Sequence, residues 1–207
     1  MTTSTQPDNI QAPERFRWGV FNLPNILTMS RIFVIPIVVA LFFWDSVTTR
    51  WVACVLFSAA GVTDFFDGYL ARRAKQVSRF GRFLDPIADK LLVSAVILCL
   101  AGTARITPIE MLPALIILLR EILVSGLREF LAELRVSLPV TTLAKYKTTV
   151  QMFALGFLIV GDKAPEWIPA HAIGNVLLWA AAIVTLITGY DYLKAGIAHM
   201  DQDEPVS

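Results

Sequence analysis

The chain has 207 residues, 56% of them hydrophobic and only 17% charged, with a mean hydropathy of +0.62. Soluble domains carry about 25% charged residues, so the composition excludes an ordinary soluble domain and points to one integral membrane domain. A net charge of +1 gives no global attraction to nucleic acid.

In chain order, the first 24 residues, which include the expected cytoplasmic N-terminal segment 1–21, are polar and then mixed, without the basic start and short apolar core of a cleavable signal. Its end, 13–23, mixes Arg15 and Arg17 with Phe16, Trp18 and Phe21. It reads equally as an interfacial amphipathic helix or as a flexible tail with anchoring aromatics. Six apolar segments follow at roughly 25–44, 51–71, 86–104, 108–131, 147–161 and 168–190. Each approaches the length of about 20 residues that a spanning helix needs. The expected fold is all-α, a polytopic membrane protein with six transmembrane helices over 22–198. The tail 199–207 is expected to be cytoplasmic and disordered. Cys54 and Cys99 lie inside apolar runs and read as small packing residues, not a disulfide.

Only the sixth segment is free of charge throughout. Arg31 lies near the start of the first; Asp64 and Asp67 near the end of the second. Asp89 and Lys90 open the third, Arg120, Glu121, Arg128 and Glu129 close the fourth, and Lys145 and Lys147 open the fifth. In an alternating topology, starts of odd segments and ends of even ones share one side. That side also carries Arg72, Arg73, Lys75, Arg79, Arg82 and Arg135 in its loops, against Arg50, Arg105 and Lys163 opposite. Positive loops stay cytoplasmic. The expected location is the inner (cytoplasmic) membrane, with both termini and the polar site on the cytoplasmic side.

The polar site is patterned as Asp64-x2-Asp67-Gly68-x2-Ala71-Arg72-x8-Gly81-x3-Asp85-x3-Asp89. On helices, residues three or four apart share a face. Asp64 and Asp67 fall together, with Ala71 one turn on, and Asp85 falls with Asp89. Pro86 directly after Asp85 predicts a helix start there, with Asp85 as the N-cap. Carboxylates at a membrane's edge are costly unless a cation holds them. Oxygen donors without His or Cys favour magnesium, manganese or calcium over zinc, and four can hold two ions, as suits phosphoryl transfer. Gly68, Ala71 and Gly81 leave room for a bulky group near the backbone, and Arg72, Arg79 and Arg82 supply phosphate-pairing forks. Any one of these acids alone reads as an ordinary cap, and the small residues alone as helix packing; the pattern as a whole does not.

That pattern resembles the signature of the CDP-alcohol phosphotransferases at every specified position. The resemblance implies a six-helix membrane fold, a homodimer, and a metal-dependent transferase with two Mg2+ or Mn2+ ions. It implies Asp64, Asp67, Asp85 and Asp89 as metal ligands, with Asp89 also the general base. Asp64, Gly68, Ala71, Arg72 and Gly81 would line the CDP site. Likeness extends to Asn22-Leu23-Pro24-Asn25-Ile26-Leu27-Thr28-x2-Arg31, to Arg120-Glu121-x6-Arg128-Glu129 and to Lys145-x-Lys147-Thr148-Thr149-x-Gln151. These are similar to family members that join CDP-diacylglycerol to glycerol 3-phosphate, giving phosphatidylglycerol phosphate and CMP.

Such an acceptor carries a phosphate dianion, for which Arg31, Arg120, Arg128, Lys145 and Lys147 are the candidate cations. Glu121, Ser125 and Arg128 share a helical face, which allows an internal Glu121–Arg128 pair. Arg128, Lys145 and Lys147 read also as residues meeting lipid headgroups. His171 and His199 have no ligand-like neighbours and read as interfacial. The rival readings are the same chemistry on phosphatidylglycerol, an inositol phosphate or serine, and, from another class, a divalent-cation transporter. A transporter predicts acids spread through membrane depth; here they crowd one side.

Overall fold

The computed structural model describes residues 23–74, 79–133 and 142–200; within these, the side chains at 23–25, 64–74, 79–83, 85, 86, 133, 142–145 and 197–200 are not described. The expectations for 1–21 and for 201–207 therefore lie outside the described residues. Among those residues the protein is all-helical. Six α-helices run Leu23–Phe42 (α1), Val47–Ala74 (α2), Arg79–Gly102 (α3), Pro108–Glu133 (α4), Thr142–Val160 (α5) and Ala170–Met200 (α6), with a 3-10 turn at Gly161–Lys163.

The helices pack as a ring. α1 touches α2 and α3, α2 touches α5, α5 touches α6, α6 touches α4, and α4 returns to α3; a contact between α3 and α5 crosses the ring. Its core is apolar, built on Phe57, Leu100, Ile117, Leu155, Leu158, Ile159 and Leu178. Small residues set the close approaches. A Cβ on Gly174 would meet Leu158, including its backbone nitrogen at 3.1 Å, so α5 and α6 need glycine there. Cys54 and Cys99 are free thiols, and Cys54 donates to the Gly156 carbonyl at 3.5 Å.

Local sequence explains the helix starts. Ser46 and Thr49 exchange side-chain to backbone bonds at 3.1 Å in both directions, capping α2. Thr107 and Glu110 do the same for α4, with Pro108 at the first helical position. α3 ends in a Schellman turn: Arg105 N–H donates to Leu100 O, Ala104 N–H donates to Ala101 O, and Ala104 takes a φ of 52°.

Two boundaries differ from expectation. α3 begins at Arg79, so Asp85 is no N-cap; it and Pro86 lie within the helix. Proline removes one backbone donor, a loss that apolar helices tolerate. The consequence is that positions 81, 85 and 89 form one continuous stripe. α6 runs past Tyr190 to Met200. Charge at Asp191 and Lys194 ends the apolar run, but both are exposed while Tyr192 and Gly196 stay buried, so the helix continues. Ala170–Gly196 is long and apolar enough to cross a membrane; Ile26–Phe42 and Val47–Thr63 are shorter apolar stretches.

The C-terminal ends of α1, α3 and α5 meet the N-terminal ends of α2, α4 and α6. Arg50 ties them together, donating to Asp45 Oδ1 at 2.6 Å, to Val160 O at 3.1 Å and to Asp162 Oδ1. Arg105 donates to Phe42 O at 3.4 Å and Ile159 O at 3.5 Å, lies 4.5 Å from the Phe42 ring and 3.6 Å from Asp45. His171 Nε2 lies 3.3 Å from Arg105 O and 3.6 Å from Glu110. Cations at helix C-termini complete the orphan carbonyls. The bond to Arg50 holds the Asp45 carboxyl below its usual 3.8. Gly161, with a φ of 53°, fits under Arg50; a Cβ there would lie 3.2 Å from the guanidinium.

Candidate active site

The helix ends opposite this latch carry the patterned residues. Asp64, Asp67, Gly68, Ala71 and Arg72 fall in the last turns of α2, and Gly81 and Asp85 in the first turns of α3. Lys145 falls in the first turn of α5. Their side chains lie outside the described residues. α2 is continuous through Ala74, so positions 64, 67, 68 and 71 occupy one stripe.

Asp89 opens on a cleft of about 250 Å³, mouth included, lined by Asp89, Lys90, Val93, Glu121, Lys147, Thr148 and Gln151. Three helices build it: α3, α4 and α5. Glu121 is its electrostatic hub. Its Oε1 accepts from Lys147 Nζ across helices and from Arg120 at 3.3 Å. Arg120 is braced from α6, donating to Thr188 Oγ1 at 2.9 Å with the Tyr192 ring 5.6 Å away. Arg120 lies against Gly189, where a Cβ would come within 3.0 Å of its stem. Lys90 donates to Ser125 Oγ, linking α3 to α4. Lys147 is 5% exposed at its side chain and Glu121 18%, so the charges are largely withdrawn from solvent.

Of the five cations expected at an acceptor phosphate, only Lys147 lines this cleft among the described residues. Arg120 stands behind it, through Glu121. Arg31 is buried on α1, at 2% exposure, and is not part of the lining. Arg128 is exposed and is not part of the lining. The Glu121–Arg128 pair that the helical face allows is not formed; Glu121 pairs with Arg120 and Lys147. Lys147 reaches it across the bundle from α5, while Arg128 is exposed. Lys90, Gln151, Thr188 and Tyr192 received no role from sequence reasoning. Lys147 and Gln151 are one helical turn apart, which was the available signal for Gln151.

Together these features define a class: among the described residues, an all-helical bundle with an acid–base cleft, lined by a buried and a half-buried lysine, at one end of its helices. Residues 21–187 match the family model of the CDP-alcohol phosphatidyltransferases. A CDP-diacylglycerol–glycerol-3-phosphate 3-phosphatidyltransferase of Rickettsia bellii is 51% identical over 174 residues, covering 84% of this chain and 94% of its own. One of the same name from Shigella flexneri serotype 5b is 40% identical over 185 residues, covering 87% and 97%. Another from Cereibacter sphaeroides is 37% identical over 219 residues, covering 89% and 99%. The chain belongs to the CDP-alcohol phosphatidyltransferase family.

Proposed function

We infer that this chain transfers the phosphatidyl group of CDP-diacylglycerol to glycerol 3-phosphate, giving phosphatidylglycerol phosphate and CMP. The observation that carries the reading is the cleft lined by both Asp89, last carboxylate of the family pattern, and Lys147. Relatives at up to 51% identity that carry this activity in their names support the acceptor.

The acceptor's primary hydroxyl attacks the β-phosphorus of the donor. Its proton passes to Asp89, a new P–O bond forms, and the bond to CMP breaks. Lys147 pairs with the acceptor phosphate. Glu121 holds the Lys147 ammonium in place, and Arg120, fixed by Thr188, holds Glu121. Positioning of this kind is worth several powers of ten in rate. The oxygen-donor set of Asp64, Asp67, Asp85 and Asp89 suits Mg2+ or Mn2+, for which these residues would be the ligands. Two such ions would polarise the diphosphate and hold the charge of the departing CMP. Asp64, Gly68, Ala71, Arg72 and Gly81 would receive the CDP group, on the family pattern.

The reading includes a multi-pass protein of the inner membrane, with all six helices in the bilayer, both termini and the site facing the cytoplasm, and assembly as a homodimer. Apolar side chains exposed around the ring, among them Phe33, Leu98, Ile122, Val176 and Ile183, suit contact with lipid. A reporter fused after Ser207 should be active in the cytoplasm.

The reaction is tested with the detergent-solubilised chain, CDP-diacylglycerol, magnesium or manganese, and a panel of acceptors. CMP release should require glycerol 3-phosphate, and should fall by about 10²–10⁴ in Asp89→Asn. Release independent of glycerol 3-phosphate refutes the acceptor; full release in Asp89→Asn refutes the base.

A further inference from the structure

Gln151 is 3% exposed, yet it lines the cleft. Its Oε1 accepts no hydrogen bond from any described residue. A buried amide oxygen without a partner destabilises a fold, and a hydrophobic side chain would fit α5 at this position without that cost. The amide sits on the face of α5 that also presents Lys147, one turn further from the helix start. α3 and α5 begin at the same end of the ring, so Asp89 and Gln151 meet in one cleft from helices of like direction.

We propose that Gln151 is a specificity-determining residue that reads the acceptor's secondary hydroxyl. Its Oε1 accepts the hydrogen bond of the C2 hydroxyl of glycerol 3-phosphate while Lys147 holds the phosphate. The inference rests on the acceptor assigned above. The spacing agrees: four residues of helix rise by about 6 Å, and the stem of Lys147 can give back the difference to the shorter P–O–C–C–O run between phosphate and hydroxyl. The logic is that of any site built to pair a substrate hydroxyl. An analogue without that hydroxyl leaves the buried acceptor unsatisfied and is rejected. The carbon chain next to the attacking hydroxyl is thereby fixed, and a phosphate-bearing alcohol lacking the second hydroxyl is discriminated against even though Lys147 can still hold it.

The test compares glycerol 3-phosphate with 3-hydroxypropyl phosphate, which keeps the primary hydroxyl and the phosphate but lacks the C2 hydroxyl. With the full-length chain, kcat/KM from CMP release should favour glycerol 3-phosphate by at least about tenfold. In Gln151→Leu and Gln151→Met that ratio should collapse toward one, through loss with glycerol 3-phosphate alone. The thermal midpoint of both variants should be unchanged or higher, because an unpartnered buried amide has been removed. Equal use of the two acceptors by the parent chain overturns the proposal before any variant is made. So does a ratio unchanged in both variants, or an equal loss with both acceptors. Absence of any CMP release with glycerol 3-phosphate from the parent chain overturns the acceptor assignment itself, and the role of Gln151 with it.

Discussion

The Glu121 hub makes an asymmetric prediction. Glu121→Gln leaves Lys147 and Arg120, both largely buried, facing one another without a shared anion. Orphaning a buried charge costs about 3–5 kcal/mol. Glu121 retains 18% exposure, so water in the cleft recovers part of this, and about 3 kcal/mol is the expected loss. Lys147→Met is milder. It leaves Glu121 paired with Arg120, and the expected loss is about 1–2 kcal/mol. In the double variant Arg120 keeps Thr188 and no longer faces a second cation. Its loss should be about 2 kcal/mol, well short of the two singles added together, for a coupling of about 2–3 kcal/mol. The assay is reversible denaturant unfolding in mixed micelles for all four proteins. CMP-release kinetics run alongside should show a raised KM for glycerol 3-phosphate in both single variants. Additive losses, with coupling under about 0.5 kcal/mol, or a greater loss in Lys147→Met than in Glu121→Gln, refute the hub.

The opposite end of the ring yields three smaller tests. Ala104→Gly should raise stability by about 0.5–1 kcal/mol, because the residue holds a φ of 52° that alanine resists and glycine accepts; thermal unfolding reads the gain. Gly161→Ala should lower stability by about 1–3 kcal/mol in the same assay, through its own positive φ and pressure on Arg50. Asp45 supplies the pH dependence. Its folded pKa is depressed, so its stabilising bond to Arg50 is complete above the ordinary value of 3.8 and is lost as pH falls through the lower folded value. The thermal midpoint should therefore drop less on acidification in Asp45→Asn than in the parent chain; an equal drop removes Asp45 from the account.

What the sequence disclosed depended on the range of the interaction. Helices α1 to α6 follow from apolar runs, which are local, and the carboxylate pattern is a spacing within two adjacent helices. Boundaries were harder where two local signals competed. Asp85–Pro86 carries the chemistry of a helix start, yet the helix begins six residues earlier, at Arg79, and continues through it. The end of α6 was hidden for the converse reason: Asp191 and Lys194 break the apolar run but not the helical hydrogen bonding. The partner of Glu121 could not be read. Arg128 lies two helical turns along the same face, within local logic, while Lys147 is 26 residues away and becomes near only when α5 packs in the ring. Gln151 was quoted within a motif but its importance is a matter of burial without a partner, which periodicity does not report.

The two ends of the bundle use basic residues differently, and the difference carries the functional argument. At the latch, Arg50, Arg105 and Lys163 stand against Asp45 and Asp162, and the remaining donors of the two arginines go to helix carbonyls. Charge there is closed on itself. Those cations were counted as the few positive residues of the far side; each arginine is committed to holding helix ends together. At the cleft, Lys90, Lys147 and Arg120 stand against Asp89 and Glu121, and Glu121 alone is shared by two of them. Among the described residues that leaves positive charge in a half-buried place, where it is stabilised by an arriving anion. A phosphate-bearing acceptor satisfies that imbalance, while serine, with no phosphate, does not. Lipid headgroups can meet an exposed residue such as Arg128, whereas Lys147 is buried and lines the cleft. The charge imbalance therefore favours a phosphate-bearing alcohol over serine.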